Sequence, residues 1–356
     1  VPDPSPAPAA TFVVGTGTPH SCTAEQIQQR LDAEATITFD CGPGDVVIPV
    51  TETLIVGANT TAAIHGNGHV TLDGQDQVNI VELEGRSRLQ VRDVRFVRGF
   101  ARKWGGAIGA GYLASIEVFD CVFEDNHLTG DLALDGHPGG GAIGGGHMNA
   151  LVVRSTFLRN SCDGDCYGGG AFYDLLGDSR VYDSRFEDNV GEGSFGGAVY
   201  IENGPCCDEW FDNATLWCGV TFRNNSGVDR GGAISVYWTR TTIDSCHFEG
   251  NTSDLWGGAL SLSTAGLTMN GGADISGLGT QIVRNSSFRD NSGPKGAAIW
   301  ATGDQPVLIE NSTFTDHHRL GDGVVFLANA PLDVQVRYST FADNALQAFA
   351  QNASAA

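Results

Sequence analysis

The chain is poor in lysine, in methionine and in positive charge. Among 356 residues only Lys103 and Lys295 are lysines, two are methionines, and 20 Lys and Arg stand against 42 Asp and Glu, a net charge of −22. A field of that sign excludes nucleic acid and anionic membranes as partners. No run reaches about 18 apolar residues, so no membrane span is expected. Glycine is abundant, at 49 residues, and 41% hydrophobic against 17% charged residues is the balance of a globular chain with a large core.

The opening VPDPSPAPAA lacks an initiating methionine. It reads as a Pro/Ala leader of the kind left behind a removed signal peptide or used as a linker, ordered only where it docks onto its own body or a neighbour. Nine cysteines fall in a telling pattern: Cys22 and Cys41 bracket a short helix, Cys162 and Cys166 bracket a glycine-containing loop, and Cys206, Cys207 and Cys218 share one insertion. Three disulfides are expected, with an oxidising, extracellular or cell-surface location. The rival zinc reading of CDGDC lacks a second pair of ligands.

Internal repetition dominates the rest. Phe-x-x-Asn recurs at Phe123/Asn126, Phe157/Asn160, Phe186/Asn189, Phe222/Asn225, Phe248/Asn251, Phe288/Asn291 and Phe341/Asn344, with imperfect copies at Phe96/Gly99 and Phe314/His317. From Phe96 to Phe341 the step averages about 31 residues, a solenoid period. Gly-Gly-Ala-apolar segments alternate with these, starting at Gly105, Gly140, Gly169, Gly196, Gly231 and Gly257, with degenerate versions at Gly296 and Gly323. Upstream of each Phe runs a short alternating stretch rich in β-branched and aromatic residues, such as SRVYDSRF or VLIENSTF, so each step holds two or three short strands. Stacked as parallel coils about 4.8 Å apart, the Phe residues stack inside and each Asn turns inward to bond the turn and the next Asn. The small residue two before Phe, such as Cys121, Ser184 or Cys246, also faces inward, and Gly-Gly makes a tight corner.

GGA(I/V/L) alternating with FxxN resembles the repeat of the polymorphic outer-membrane proteins, and more broadly the pectate-lyase-like class, over roughly residues 90–344. The resemblance implies an all-β, single-domain right-handed parallel β-helix with a short N-terminal capping helix. Residues 1–20 are then leader and first extended segment, 21–90 cap helix and early coils, and 91–356 repeat coils with insertions at 127–139, 203–218 and 264–280. In the cap, Thr23 and Gln26 form a capping box ahead of Ile27 and Leu31 on one helical face. The C-terminal cap looks thin.

Two function classes follow. The first is a secreted, non-enzymatic structural or adhesive surface protein, self-associating head-to-tail into fibres through leader and coil ends, or binding a cell-surface glycan. The second is a carbohydrate-active enzyme, a lyase or hydrolase on acidic glycans. Its cleft would lie where loops between Asn and Gly-Gly emerge together, collecting Arg98, Arg102, Lys103, His127, Asp131, Asp135, His137, Asp163, Asp165 and Tyr167. A lyase needs a base and something to acidify the proton beside a carboxylate. No cofactor is otherwise called for, and Ca²⁺ held by carboxylates is the ion that chemistry would use. Trp104 is placed to stack on a sugar. Tyr173, Tyr200 and Trp300 follow Gly-Gly at equivalent places and form a candidate contact row, and Trp210 and Trp217 sit in the 203–218 flap. The alternating Glu187, Arg223, Glu249 and Arg289 are expected to form a surface charge ladder.

Overall fold

A computed structural model describes residues 2–193, 195–202, 214–263, 279–303, 305–318, 321–328 and 333–351, without the side chains of Leu134 and Asp135. The short alternating stretches become strands that pair only with their equivalents one coil away, all in parallel. Three sheets wrap one core. The first carries two strands per coil, as in Ser115–Phe119 and Val122–Glu124. The second has eleven strands, from Leu54–Val56 to Phe349–Gln351, each following a glycine corner in the repeat region. The third has six short ones, from Phe100–Ala101 to Thr252–Ser253. The chain is a right-handed parallel β-helix.

Register follows from what each repeat residue does. Phe96, Phe123, Phe157, Phe186, Phe222, Phe248, Phe288, Phe314 and Phe341 form one stack with ring centres 4.4–5.1 Å apart. Beside it runs an amide ladder. Asn126 donates through both its backbone N–H and its Nδ2 to Oδ1 of Asn160, at 3.0 Å each, and the pattern repeats through Asn189, Asn225, Asn251 and Asn291. Each Nδ2 also reaches a Phe carbonyl one coil back, as Asn189 reaches Phe157. In the next coil the position is His317, which faces Asn344 Oδ1. The small residues before Phe build a second ladder, in which the Cys121 N–H donates to Ser155 Oγ and the Ser155 N–H to Ser184 Oγ. Cys121 and Cys246 are buried free thiols, pushed up to about 12 chiefly by burial: core fillers, as expected.

Turn chemistry closes the coils. Asp188, Asp290, Asp316 and Asp343 lie in the left-handed region that Asp tolerates. Gly196, at φ 71°, turns the glycine corner, where a Cβ would stand 2.1 Å from the Val199 carbonyl oxygen. Outside, Glu187, Arg223, Glu249 and Arg289 align coil by coil, with Arg223 2.9 Å from Glu249. The expected alternation of sign is present, but only Arg223 and Glu249 pair along it: Glu187 pairs with Arg185 and Arg289 with Asp316.

At the N-terminus, α1 (Ala24–Leu31) buries Ile27 and Leu31 over the first coils. Thr23 Oγ1 caps Gln26 N–H at 3.3 Å, while Gln26 Oε1 has no partner, so only half of the capping box forms. Cys22–Cys41 and Cys162–Cys166 are disulfides. Cys218 is a free thiol, against the expected bridge, and Cys206 and Cys207 lie outside the described residues. Trp217 is also no flap residue: Ala214–Cys218 is a coil strand whose alternation turns Thr215 and Trp217 inward. Trp217 is buried against Phe172, Phe186 and Phe222. The leader lies on its own body, across the outer face of the first sheet. Among the described residues no helix is long and apolar enough to cross a membrane.

Candidate functional site

The loop residues chosen from sequence are divided among three places. Arg98 pairs with Asp73, which raises the guanidinium pKa. On the third sheet, His127 sits between Ser161 Oγ at 2.8 Å and Thr129 Oγ1 at 2.9 Å, with Asp163 at 3.4 Å. At the glycine corner, Lys103 lies over the Trp104 ring, and His137 meets Tyr167 edge-on at 4.6 Å. Asp131 caps the short helix Leu132–Asp135 by accepting from the Ala133 N–H, a structural duty. Arg102 and Asp165 are exposed. The Asp135 side chain and Trp210 lie outside what is described.

A denser constellation stands on the outer face of the second sheet. The residue just before each glycine corner pairs with its equivalent in the next coil, giving the rows Trp104, Gly139, Gly168, Phe195 and Arg230, Trp256, Lys295. A backbone bond from Gly196 N to Arg230 O joins the two. Within the sheet, strand alternation turns Tyr173, Tyr200, Ser235, Ser261, Trp300 and Phe326 outward in one register and Glu202, Tyr237, Ser263 and Thr302 in the next. The corner row covers the sheet row. Tyr173, Tyr200 and Trp300 are therefore buried, at 0%, 1% and 6% exposure, and do not form the open contact row their spacing suggested. Gly139 is required here, because a Cβ would come within 2.4 Å of the Tyr173 ring.

The rings form a wall along the axis. Trp104 stacks on Tyr173 at 6.0 Å, Tyr173 on Tyr200 at 5.4 Å, and Phe195 on Tyr200 at 5.0 Å. Arg230 then lies 5.0, 4.5 and 5.5 Å from the rings of Phe195, Trp256 and Trp300, and Lys295 lies over Phe326. Cations held over ring faces are attracted by the ring quadrupole. At mid-wall the Tyr200 hydroxyl donates to Glu202 Oε2 at 3.0 Å. Burial pushes the Glu202 carboxyl up, and the same cause raises Glu82 and Asp229, the latter 3.4 Å from Arg230. Burial, and then the charge of Glu202, lifts the Tyr173 and Tyr200 phenols well above their usual range. Tyr173 Oη, Ser261 Oγ and Ser263 Oγ are buried without a hydrogen-bond partner. The face thus carries cations over ring faces and carboxyls held toward their neutral form, with the inner rings and hydroxyls shut away from solvent beneath them.

Sequence reasoning missed Phe195, Asp229, Arg230, Tyr237, Trp256 and Glu202. The signal was present: one residue before each glycine pair, and one six places after its first glycine, where Glu202, Tyr237 and Ser263 stand.

Residues 218–355 match the family model described as "Right handed beta helix region". No curated protein matches the chain. Among solved structures the chain is similar to one titled "Structural characterization of a mannuronic acid specific polysaccharide family 6 lyase enzyme from human gut microbiota". The two are 10% identical with a TM-score of 0.38, over 96% of this chain and 90% of that one.

Proposed function

We propose that this β-helix is a secreted protein that binds acidic polysaccharide along the wall of its second sheet. One observation carries the reading. The chain has two lysines and a net charge of −22, yet both lysines and Arg230 lie over aromatic rings of this one face. The three wall carboxyls, Glu82, Glu202 and Asp229, are all pushed toward the neutral form, so the cations are incompletely balanced as pH falls. The disulfides Cys22–Cys41 and Cys162–Cys166 fit an oxidising, extracellular setting. The likeness of the repeats to polymorphic outer-membrane proteins fits a surface role of the adhesive kind.

Arg230→Ala is expected to weaken binding of a polyuronate about tenfold or more, the equivalent of about 1.4 kcal/mol, and, because Arg230 packs on three rings, to lower the thermal midpoint as well. Affinity electrophoresis over a panel of acidic and neutral polysaccharides reads this. Binding should tighten from neutral toward mildly acidic pH. No retention on any acidic polymer, or equal retention of the variant, would sink the proposal.

A second reading, cleavage of the bound glycan, is favoured by Glu202 alone. A buried carboxyl whose pKa is raised can serve as proton donor to a leaving glycosidic oxygen while water attacks the anomeric carbon. Glu202→Gln is then expected to retain binding and abolish the appearance of new reducing ends.

A further inference from the structure

The leader sits in a groove of its own, away from the wall. Prolines at 2, 4, 6 and 8 leave each intervening residue confined to extended conformations, so the segment is a stiff polyproline-like strap. It runs along the solenoid axis, at right angles to the strands. Thr36 Oγ1 donates to the Pro8 carbonyl at 2.7 Å, and the Thr36 N–H to the Ala10 carbonyl at 2.8 Å. Ser5, between two prolines, has the one N–H of the Pro-Ser-Pro unit. That N–H donates to Glu117 Oε2 at 3.0 Å, Gln90 Nε2 donates to the Ser5 carbonyl at 2.9 Å, and Arg88 donates to Ser5 Oγ at 3.2 Å. Further up, Pro2 and Asp3 lie in a hollow with Asn149, Leu151 and Arg180.

The receiving side chains also hold one another. Gln90 is buried, donates to Glu117 at 3.0 Å and accepts from Arg92 at 3.0 Å, with His65 at 3.2 Å. A carboxylate for an N–H and an amide for a C=O, set between two prolines, read a backbone and not one particular sequence. The contacts belong to side chains of the body, so nothing in them requires that strap and body be one chain.

We propose that this is a peptide-binding groove for a proline-alternating strap, and that the leader of a second copy can fill it in place of the chain's own. In a single chain the tether gives the leader a high effective concentration, so the intramolecular contact wins while it is intact. Exchange needs no new contact, only an empty groove beside a loose leader.

Two complementary variants test this. One is cut after folding at a protease site placed between Ala9 and Ala10, then stripped of the freed leader; it has a groove and no strap. The other carries Gln90→Ala and Glu117→Ala; it has a strap and a disabled groove. Each alone is expected to run as a monomer, and an equimolar mixture to give a one-to-one complex by light scattering. A synthetic VPDPSPAPAA peptide should bind the stripped protein, dissolve the complex, and bind neither the intact chain nor the double variant. A mixture that stays monomeric, or a stripped protein with unchanged circular dichroism that ignores the peptide, overturns the proposal. Glycan retention on the wall should be the same in both variants, so failure here is separate from failure of the glycan reading.

Discussion

Replacing Asn189 by alanine should lower the thermal midpoint far more than the same change at Asn344. Asn189 Oδ1 accepts from both the backbone N–H and the Nδ2 of Asn160, and its own Nδ2 donates to Asn225 and to the Phe157 carbonyl. Alanine leaves the Asn160 N–H buried with no acceptor, at a cost of about 1–3 kcal/mol, and opens a cavity beside the Phe186 ring that adds to it. Asn344 accepts from His317 at a partly buried end of the stack, where water replaces what is lost. In a solenoid each coil leans on its neighbours, so a mid-stack fault weakens two interfaces and an end fault one. Paired melts of the two variants read the difference directly; equal losses would mean that the ladder has no positional weight.

A rise in pH should destabilise the fold, and Asp174→Asn should remove much of that dependence. Asp174 points into the core, where Ser179 Oγ donates to Oδ2 and Oδ1 has no partner. Burial outweighs the Ser179 bond and raises the carboxyl from 3.8 to about 8. Between those values the folded chain keeps a proton that the unfolded chain releases. Stability from this group is therefore complete below pH 4 and declines by about 1.4 kcal/mol per unit until the folded group ionises near pH 8. Glu202, raised in the same direction, adds to the trend. Calorimetric midpoints at intervals from pH 4 to 9 should fall for the natural chain and flatten for Asp174→Asn, which keeps a neutral polar group of the same shape. Parallel curves would show that Asp174 is not the group responsible.

Much of the fold was legible because each core position is repeated in coil after coil. Phe186 alone is an aromatic residue in a loop-like stretch. With eight counterparts at a steady spacing it becomes a stack, and Asn189 becomes a rung. The wall was illegible because strand alternation reports inside against outside, and outside was equated with solvent. Tyr173, Tyr200 and Trp300 do face outward, but Trp104, Phe195, Arg230 and Trp256 fold over them from the corner. Glu202 escaped because it stands at the edge of an insertion, where the repeat is interrupted. Trp217 was misplaced for the matching reason: its coil strand follows the same insertion directly, and the boundary was drawn at Cys218, four residues beyond where the strand starts.

The position ahead of each glycine pair holds Trp104, Gly139, Gly168, Phe195, Arg230, Trp256 and Lys295 in turn, although the corner that follows keeps one shape. Corner geometry is specified by the glycines and the backbone bonds between coils, so the residue before them is free to vary except where the next coil crowds it, as at Gly139 against the Tyr173 ring and at Gly168 against the Phe195 carbonyl. The scaffold thus presents one variable position per coil, spaced by the strand separation of about 4.8 Å. The outer face of this sheet therefore changes from coil to coil, and duplicating, deleting or exchanging a coil would rewrite that face while the stack beneath it stays the same.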